Sequence, residues 1–264
     1  MTQRGTYSFD NDDPAAALRH RLLAEILDPF TIARLGTLGD LTGWRCLEAG
    51  AGGGSIAAWL AGRTGPGGSV LATDLKPQHL RPGAGYEVLR HDLTAEPVPG
   101  PPWELIHARL LLSHLPTRVE ILGRLAAALV PDGVLFLEEW ASAIRGVVLA
   151  APDAAAADLV ERYYDILVGQ LLPANGNDPA WGCQVHAAML AAGLTEVNTE
   201  IRASSWPGGT AGARLIAVNV AQQRAGLLGA GLTTGDLDRL CELAEDPRLV
   251  VRGIFTYSTL GRRG

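Results

Sequence analysis

Lysine is nearly missing from this chain: Lys76 is the sole one among 22 basic residues. Cysteine is scarce as well, with Cys46, Cys183 and Cys241 far apart and no CxxC spacing. Three such thiols give neither a disulfide framework nor a zinc pattern, and they fit a reducing compartment. No uncharged apolar run approaches about 18 residues, so no membrane-spanning helix is expected. The first 20 residues lack the apolar segment of a secretory leader. Positive charge is not in excess either. The net charge is −6, which speaks against a broad nucleic-acid-binding face. These absences lead us to expect a soluble, cytoplasmic protein with no membrane or nucleic-acid partner.

Against them stands a chain of 264 residues, 47% hydrophobic and 19% charged. That suits one large α/β domain burying roughly 70–75% of its unfolded surface. Asp13-Pro14 marks a helix start, and Leu18, Leu22, Leu23, Ile26 and Leu27 follow at helical spacing. A second short helix is expected over Thr31–Leu38. Short apolar strands are predicted at Trp44–Ala49, Ser69–Thr73, Gly85–Arg90, Glu104–His107 and Val134–Glu138. One helix follows the first strand through Arg63, and another, Thr117–Leu129, precedes the fifth. This alternation implies a parallel sheet with right-handed crossovers. Beyond Glu139 the spacing predicts helices at Pro152–Leu172, Ala180–Ala192, Ala211–Leu228 and Thr234–Glu245, with strands at Thr195–Ala203 and Val250–Ser258. The chain reads as one domain over 1–264, with cap elements at about 1–40, 150–180 and 210–246.

The informative stretch is Cys46-Leu-Glu48-Ala-Gly50-Ala51-Gly52-Gly53-Gly54-Ser55. A strand running into glycines at the opening of a helix lets the backbone turn tightly and approach a ligand closely. A dinucleotide fingerprint would place a third glycine or alanine where Ser55 stands. Glu48, just before the turn, would repel a pyrophosphate but pair with a cationic amine. Both features point away from a nicotinamide dinucleotide and toward a zwitterionic, nucleoside-bearing cofactor. Asp74 closes the second strand, where a carboxylate accepts both ribose hydroxyls. Asp92, in His91-Asp92-Leu93 at the end of the third, is placed to accept an exocyclic adenine amine. The fourth strand delivers His107-Ala108-Arg109 into Leu110-Leu-Leu-Ser113-His114-Leu115-Pro116, and Pro131-Asp132-Gly133 turns the chain into the fifth.

With those residues in order, Trp44–Trp140 resembles the class I S-adenosylmethionine-dependent methyltransferases of the bacterial small-molecule, natural-product type. E-A-G-A-G-G-G fits that family's E/D-x-G-x-G-x-G loop. Asp74, His91-Asp92, H-A-R-x-x-x-S-H-L-P and L-x-P-x-G follow in register. The opening Tyr7-x-Phe9-Asp10-Asn11…Arg19-His20 is similar to the N-terminal helix of a bacterial branch met in natural-product pathways. The resemblance implies an α/β fold with a Rossmann-like, seven-stranded, mostly parallel sheet of order 3-2-1-4-5-7-6. Its last strand would lie antiparallel between the fifth and sixth, under a helical cap over the carboxyl edge. S-adenosylmethionine is the implied cofactor, S-adenosylhomocysteine the product and a small molecule the acceptor, with homodimerisation left open. By the same resemblance Gly50, Ala51, Gly52 and Gly53 pass under the methionine and ribose, with Glu48 toward the amino group. Asp74 would hold the ribose diol and Leu75 pack on adenine. Asp92 would read the adenine amine between His91 and Leu93, while Ala108 and Arg109 border the methionine end.

A sulfonium methyl is already electrophilic, so the protein mainly aligns donor and acceptor and excludes water. Where an acceptor needs a base, His114 is the candidate. It lies one turn past the fourth strand, at the edge where ligands bind in open α/β sheets. His107 and His114 also read as hydrogen-bonded packing residues. Glu138 and Glu139 invite a metal reading that no further ligand cluster supports, so no metal is expected. Trp140, Trp181, Trp206, Tyr163 and Tyr164 are candidates for an aromatic acceptor pocket or for cap packing. Two other functions stay open. One is a protein on the same fold that binds the cofactor without methylating, as another catalyst or as a binding module. The other is an NAD-dependent oxidoreductase, against which Glu48 and Ser55 speak. A nucleic-acid methyltransferase is disfavoured by charge and by the lack of an Asn/Asp-Pro-Pro-Tyr/Phe pattern after the fourth strand.

Overall fold

The computed structural model describes residues 9–142 and 145–264. Its centre is a sheet of β1 (Arg45–Ala49), β2 (Ser69–Asp74), β3 (Glu87–Arg90), β4 (Trp103–Arg109), β5 (Leu129–Ala141), β7 (Leu194–Arg202) and β10 (Phe255–Arg263). In space the strands run β3-β2-β1-β4-β5-β10-β7. Numbered within this sheet alone, that is the expected 3-2-1-4-5-7-6. The first five are parallel to their neighbours, and β10 is antiparallel to both β5 and β7. A second sheet was not expected: β6 (Val148–Ala150), β8 (Ser205–Pro207) and β9 (Val250–Arg252) pair in the order β6-β9-β8. The single strand predicted over Val250–Ser258 is therefore two. Between them the chain jogs at Gly253, whose N–H donates to Ser204 O at 2.7 Å. A Cβ on Gly253 would fall 2.7 Å from that same oxygen, so only glycine fits the crossing.

The helices are α1 (Ala16–Gly36), α2 (Ser55–Thr64), α3 (Arg118–Ala127), α4 (Ala154–Ile166), α5 (Leu172–Ala174), α6 (Trp181–Ala191), α7 (Ala211–Gly229) and α8 (Thr234–Leu243). A π turn over Leu167–Leu171 joins α4 to α5. The two helices expected before residue 40 are one, with Pro29 inside it. Pro29 and Glu25 both face solvent, so water can satisfy the carbonyl that proline leaves without an N–H. Asp153 caps α4 by accepting from Ala156 N at 2.8 Å, and Thr233 with Asp236 forms a capping box on α8.

Side-chain alternation along the strands sorts the core into two layers. Leu47, Ile106, Leu135 and Leu137 pack with α3 and α6 through Ile121, Leu125, Trp181 and Met189. Cys46, Leu105 and Phe136 face the other way, toward Ile56 and Leu60 of α2 and Leu35 of α1. A third cluster unites α4, α7, α8 and the small sheet through Val160, Tyr163, Val220, Leu240 and Val251. This cap joins the body where Leu22, Leu23 and Leu27 of α1 meet Ala211, Leu215 and Val218 of α7. Trp181 and Tyr163 are thus core side chains. Among the described residues no helix is long and apolar enough to cross a membrane.

Candidate active site

At the carboxyl end of β1 the chain enters the glycine turn with left-handed backbone at Gly50 (φ +67°) and Gly52 (φ +54°). Asp74, ending the neighbouring strand, accepts from Gly52 N at 3.0 Å and Lys76 N at 2.9 Å. Burial raises its pKa, and those N–H groups partly offset the rise. A carboxylate has about four acceptor positions, so a ribose diol can still be met. Beside it Leu75 is 45% exposed, an apolar face open at an otherwise polar edge. This pair fits a nucleoside. Ala51 N–H donates to Thr73 O at 2.9 Å, tying the turn to β2. His91 is buried: its N–H reaches Asp74 O at 3.0 Å and its ring pairs with Pro97 O at 3.0 Å. Asp92 accepts from the backbone and hydroxyl of Thr94 at 2.9 and 2.5 Å, next to a half-buried Leu93.

A strap from the chain's opening closes over this turn. Asn11 Nδ2 reaches Asp74 Oδ1 at 3.4 Å and Lys76 O at 3.2 Å, while His79 Nε2 bonds Asn11 O at 2.9 Å. Lys76 Nζ pairs with both Asp10 and Asp12. His20 Nε2 bonds Asn11 Oδ1 at 3.0 Å, and a Cβ on Gly52 would lie 3.0 Å from the His20 ring. Burial, with the charges of Arg19 and His79, lowers His20 to about 4, so its ring is neutral. Of these residues the sequence had signalled Asp10, Asn11, Arg19 and His20 through the resemblance, without indicating that they converge on Asp74.

Beneath α1 lies a buried polar seam that sequence reasoning missed. Glu48 Oε2 takes His107 Nδ1 at 2.7 Å, and His107 Nε2 stands 3.5 Å from Glu138 Oε2. Burial works against a charged ring, but the two carboxylates outweigh it and raise His107 to about 9. Glu138 is pushed up by burial, yet His107, Arg109 and Thr31 hold it below its ordinary range. Thr31 donates to Glu138, and Arg109 donates to Thr31 Oγ1 and Asp28 Oδ1, both at 2.8 Å. Strand alternation explains the grouping, since Glu48, His107, Arg109 and Glu138 all project toward α1. Glu48 gives one oxygen to His107, Arg109 bonds Asp28 and Thr31 of α1, and the Ala108 side chain packs in the opposite core layer.

The turn after β4 divides the site. Leu110 is left-handed (φ +52°), a strained conformation for leucine, held by its N–H to Glu138 O at 2.8 Å. Glu139 Oε1 accepts from the N–H groups of Leu111, Leu112 and Ser113 at 3.2, 2.6 and 3.4 Å. Complete burial raises Glu139 to about 7 despite those donors. Leu111 packs against Gly50, where a Cβ would come within 2.8 Å of it. Leu110, Ser113 and His114 instead line a cleft with Trp140, Tyr164 and Trp206 on its walls. His114 Nδ1 accepts from Asn177 Nδ2 at 3.1 Å, which places the proton of the neutral ring on Nε2. Burial, Arg19 and Arg118 lower His114 to about 3, far from the ordinary imidazole value of 6.5. Glu138 and Glu139 face opposite sides of the sheet. Among the described residues no group of three or more His, Cys, Asp or Glu is placed to hold a metal ion.

Comparison with known proteins adds independent findings. A family profile described as a methyltransferase domain matches residues 12–187. Methyltransferase str2 of Strobilurus tenacellus is 34% identical over 107 residues, 39% of this chain and 38% of that protein. Methyltransferase str3 of the same organism is 32% identical over 97 residues, 36% and 35% of the two chains. The alignments thus span little more than a third of these curated relatives. Among solved structures, a Bacillus halodurans protein described as a methyltransferase has a TM-score of 0.55 at 16% identity, covering 88% of this chain and 97% of its own. Haemonchus contortus N-methyltransferase 2, solved with phosphomonomethylethanolamine and S-adenosylhomocysteine, gives 0.52 at 16% identity, covering 88% of this chain and 52% of its own. At such identity the structures speak for the fold alone.

Proposed function

The chain belongs to the methyltransferase-domain family, and we propose that it transfers the methyl group of S-adenosylmethionine to a small-molecule acceptor of specialised metabolism in the cytoplasm, releasing S-adenosylhomocysteine. The observation that carries this reading is the division of one carboxyl edge at Leu110–His114. On one side lie the glycine turn, Asp74 and an exposed Leu75; on the other lies a cleft roofed by the cap. The bound cofactor supplies an electrophilic methyl group. Asp74 accepts the ribose hydroxyls, Leu75 packs on the adenine, and Asp92 with Leu93 borders its amine. The backbone from Gly50 to Gly53 runs beneath the ribose and methionine. Trp140, Tyr164 and Trp206 exclude water from the acceptor. His114 stands on the cleft wall beside Asn177 and positions the acceptor; a ring lowered to about 3 is a poor proton acceptor at neutral pH.

Calorimetry with S-adenosylhomocysteine, followed by incubation of methyl-labelled cofactor with small-molecule extracts, tests this. Stoichiometric binding and a labelled organic product are expected. Absence of binding overturns the proposal, and binding with a consumed but unlabelled acceptor favours a non-methylating catalyst.

A further inference from the structure

A continuous run of polar contacts leaves the glycine turn at one end and returns to it at the other. Glu48 precedes the turn, and its Oε2 takes His107 Nδ1 at 2.7 Å. His107 Nε2 faces Glu138 Oε2 at 3.5 Å, and Thr31 Oγ1 donates to that same oxygen. Arg109 Nη1 donates to Thr31 Oγ1 and its Nη2 to Asp28 Oδ1, both at 2.8 Å. Asp28 Oδ1 also accepts from Ser55 Oγ at 3.1 Å, and Ser55 opens α2 directly after the turn. The circuit thus runs from β1 through β4, β5 and α1 to α2, and the backbone of residues 48–55 closes it. Glu48, His107, Thr31 and Glu138 are buried, and the side chains of Arg109 and Asp28 are only 13% and 21% exposed. The residue that departs from a dinucleotide fingerprint has its use here: a glycine or alanine at position 55 has no hydroxyl to give Asp28.

We propose that Ser55, Asp28 and Arg109 are positioning residues for the cofactor, holding the far end of the glycine turn as Glu48 and His107 hold the near end. This inference rests on the reading of the turn as the S-adenosylmethionine site. Gly50, Gly52, Gly53 and Gly54 give this stretch more backbone freedom than other residues would. Gly54, left-handed at φ +77°, offers α2 no capping side chain. Freedom removed in advance need not be removed by the ligand, and affinity rises without a new contact. A turn anchored at one end only would keep much of that freedom. Both bonds to Asp28 involve a charged group, which makes them the stronger kind. Links of one network fail together, so the signature of these residues is coupling in cofactor affinity.

Calorimetry with S-adenosylhomocysteine on the full chain tests this. Ser55→Ala and Asp28→Asn are each expected to weaken binding about five- to tenfold, the scale of one hydrogen bond to a charged group. Arg109→Gln, which cuts the links to Asp28 and Thr31 together, is expected to weaken it at least as much. The double variant Ser55→Ala/Asp28→Asn should bind no more weakly than the poorer single one, because either change opens the same link. Ser55→Thr keeps a hydroxyl and should restore most of the affinity. Thr233→Ala removes the capping box of α8 in the cap; it should lower the melting temperature and leave affinity unchanged. Wild-type affinity in Ser55→Ala, or single losses that add in the double variant, overturns the proposal. An equal loss in Thr233→Ala also overturns it, since the effect is then one of stability alone. Should Asp28→Asn fold poorly, the serine pair decides: a loss in Ser55→Ala that Ser55→Thr does not restore overturns the tie. A wild type that binds no S-adenosylhomocysteine is a separate result, and it refutes the methyltransferase reading beneath.

Discussion

The two sides of the site are built in opposite ways. The glycine-turn side comes mainly from residues 48–93, with Asn11 and His20 of the strap closing over it, and is built from backbone N–H groups, tight glycines and a carboxylate. The cleft side draws Phe9, Arg19, His114, Trp140, Tyr164 and Trp206 from across the chain, holding the four aromatic rings by apolar packing and Arg19 and His114 by bonds to Asn219 and Asn177. One side is fixed by local geometry, stiffened by the polar seam under α1. The other depends on how helices of the cap settle against the body. A surface assembled by packing can be reshaped by exchanging side chains, whereas a backbone cradle cannot. The division therefore separates what the fold keeps constant from what it can vary.

The largest expected effect breaks the seam. His107→Ala leaves Glu48 and Glu138 buried without the charge between them, at a cost of about 3–5 kcal/mol in unfolding free energy by denaturant titration. Its pH signature can be stated with its sign. His107 is raised in the folded state to about 9 from 6.5, so its contribution is fully present below 6.5 and is lost as pH rises through about 9. Glu139, raised to about 7 from 4.5, acts in the same direction over the lower window. Melting temperature should fall on both intervals, with His107→Gln flattening the upper and Glu139→Gln the lower. An unchanged upper slope in His107→Gln would mean that the seam carries no net charge linkage.

Next in size is Asp74→Ala, expected to weaken S-adenosylhomocysteine binding by about 1–3 kcal/mol, the scale of lost charged hydrogen bonds. Calorimetry on the folded variant checks it, and full affinity would remove Asp74 from the cofactor side. On the acceptor side His114→Ala should lower kcat by about tenfold, the worth of one hydrogen bond of about 1.4 kcal/mol. The wild-type pH–rate profile should show no acidic limb from this ring near 6.5, because its pKa lies at about 3. A limb there that vanishes in the variant would return His114 to the role of base. Smallest of all, Lys76→Met opens an exposed pairing with Asp10 and Asp12 and should change S-adenosylhomocysteine affinity by no more than about twofold. A larger change would mean that the strap governs cofactor entry.

Legibility in the sequence follows the same division. The alternation of strands and helices and the positions of Gly50, Gly52 and Asp74 could be read because strand, turn and helix follow one another within a few residues, whereas the order of the main sheet came only with the family resemblance. The seam escaped because Glu48, His107 and Glu138 are distant in sequence and meet only through the register of three neighbouring strands. Thr31 and Asp28 join them from a helix that was expected as two. Trp181 and Trp140 illustrate the limit on the acceptor side. Both are tryptophans near strand or helix ends, yet one fills the core and the other faces the cleft. Composition cannot separate them, because the difference is set by which helix covers which face.

One feature of the sheet bears on how the chain reaches this state. β10 stands between β5 and β7, and β7 has no other neighbour in its sheet. Until residues 255–263 arrive, two strand edges, both formed from earlier sequence, present unpaired N–H and C=O groups. Closing them joins Glu138 to Ser258 and Leu137 to Thr259, contacts that span more than a third of the sequence. Non-local pairings of this kind slow folding, and open edges invite association with other chains while they wait. The time during which this protein is vulnerable is thus set by its seventh strand, however stable the finished sheet.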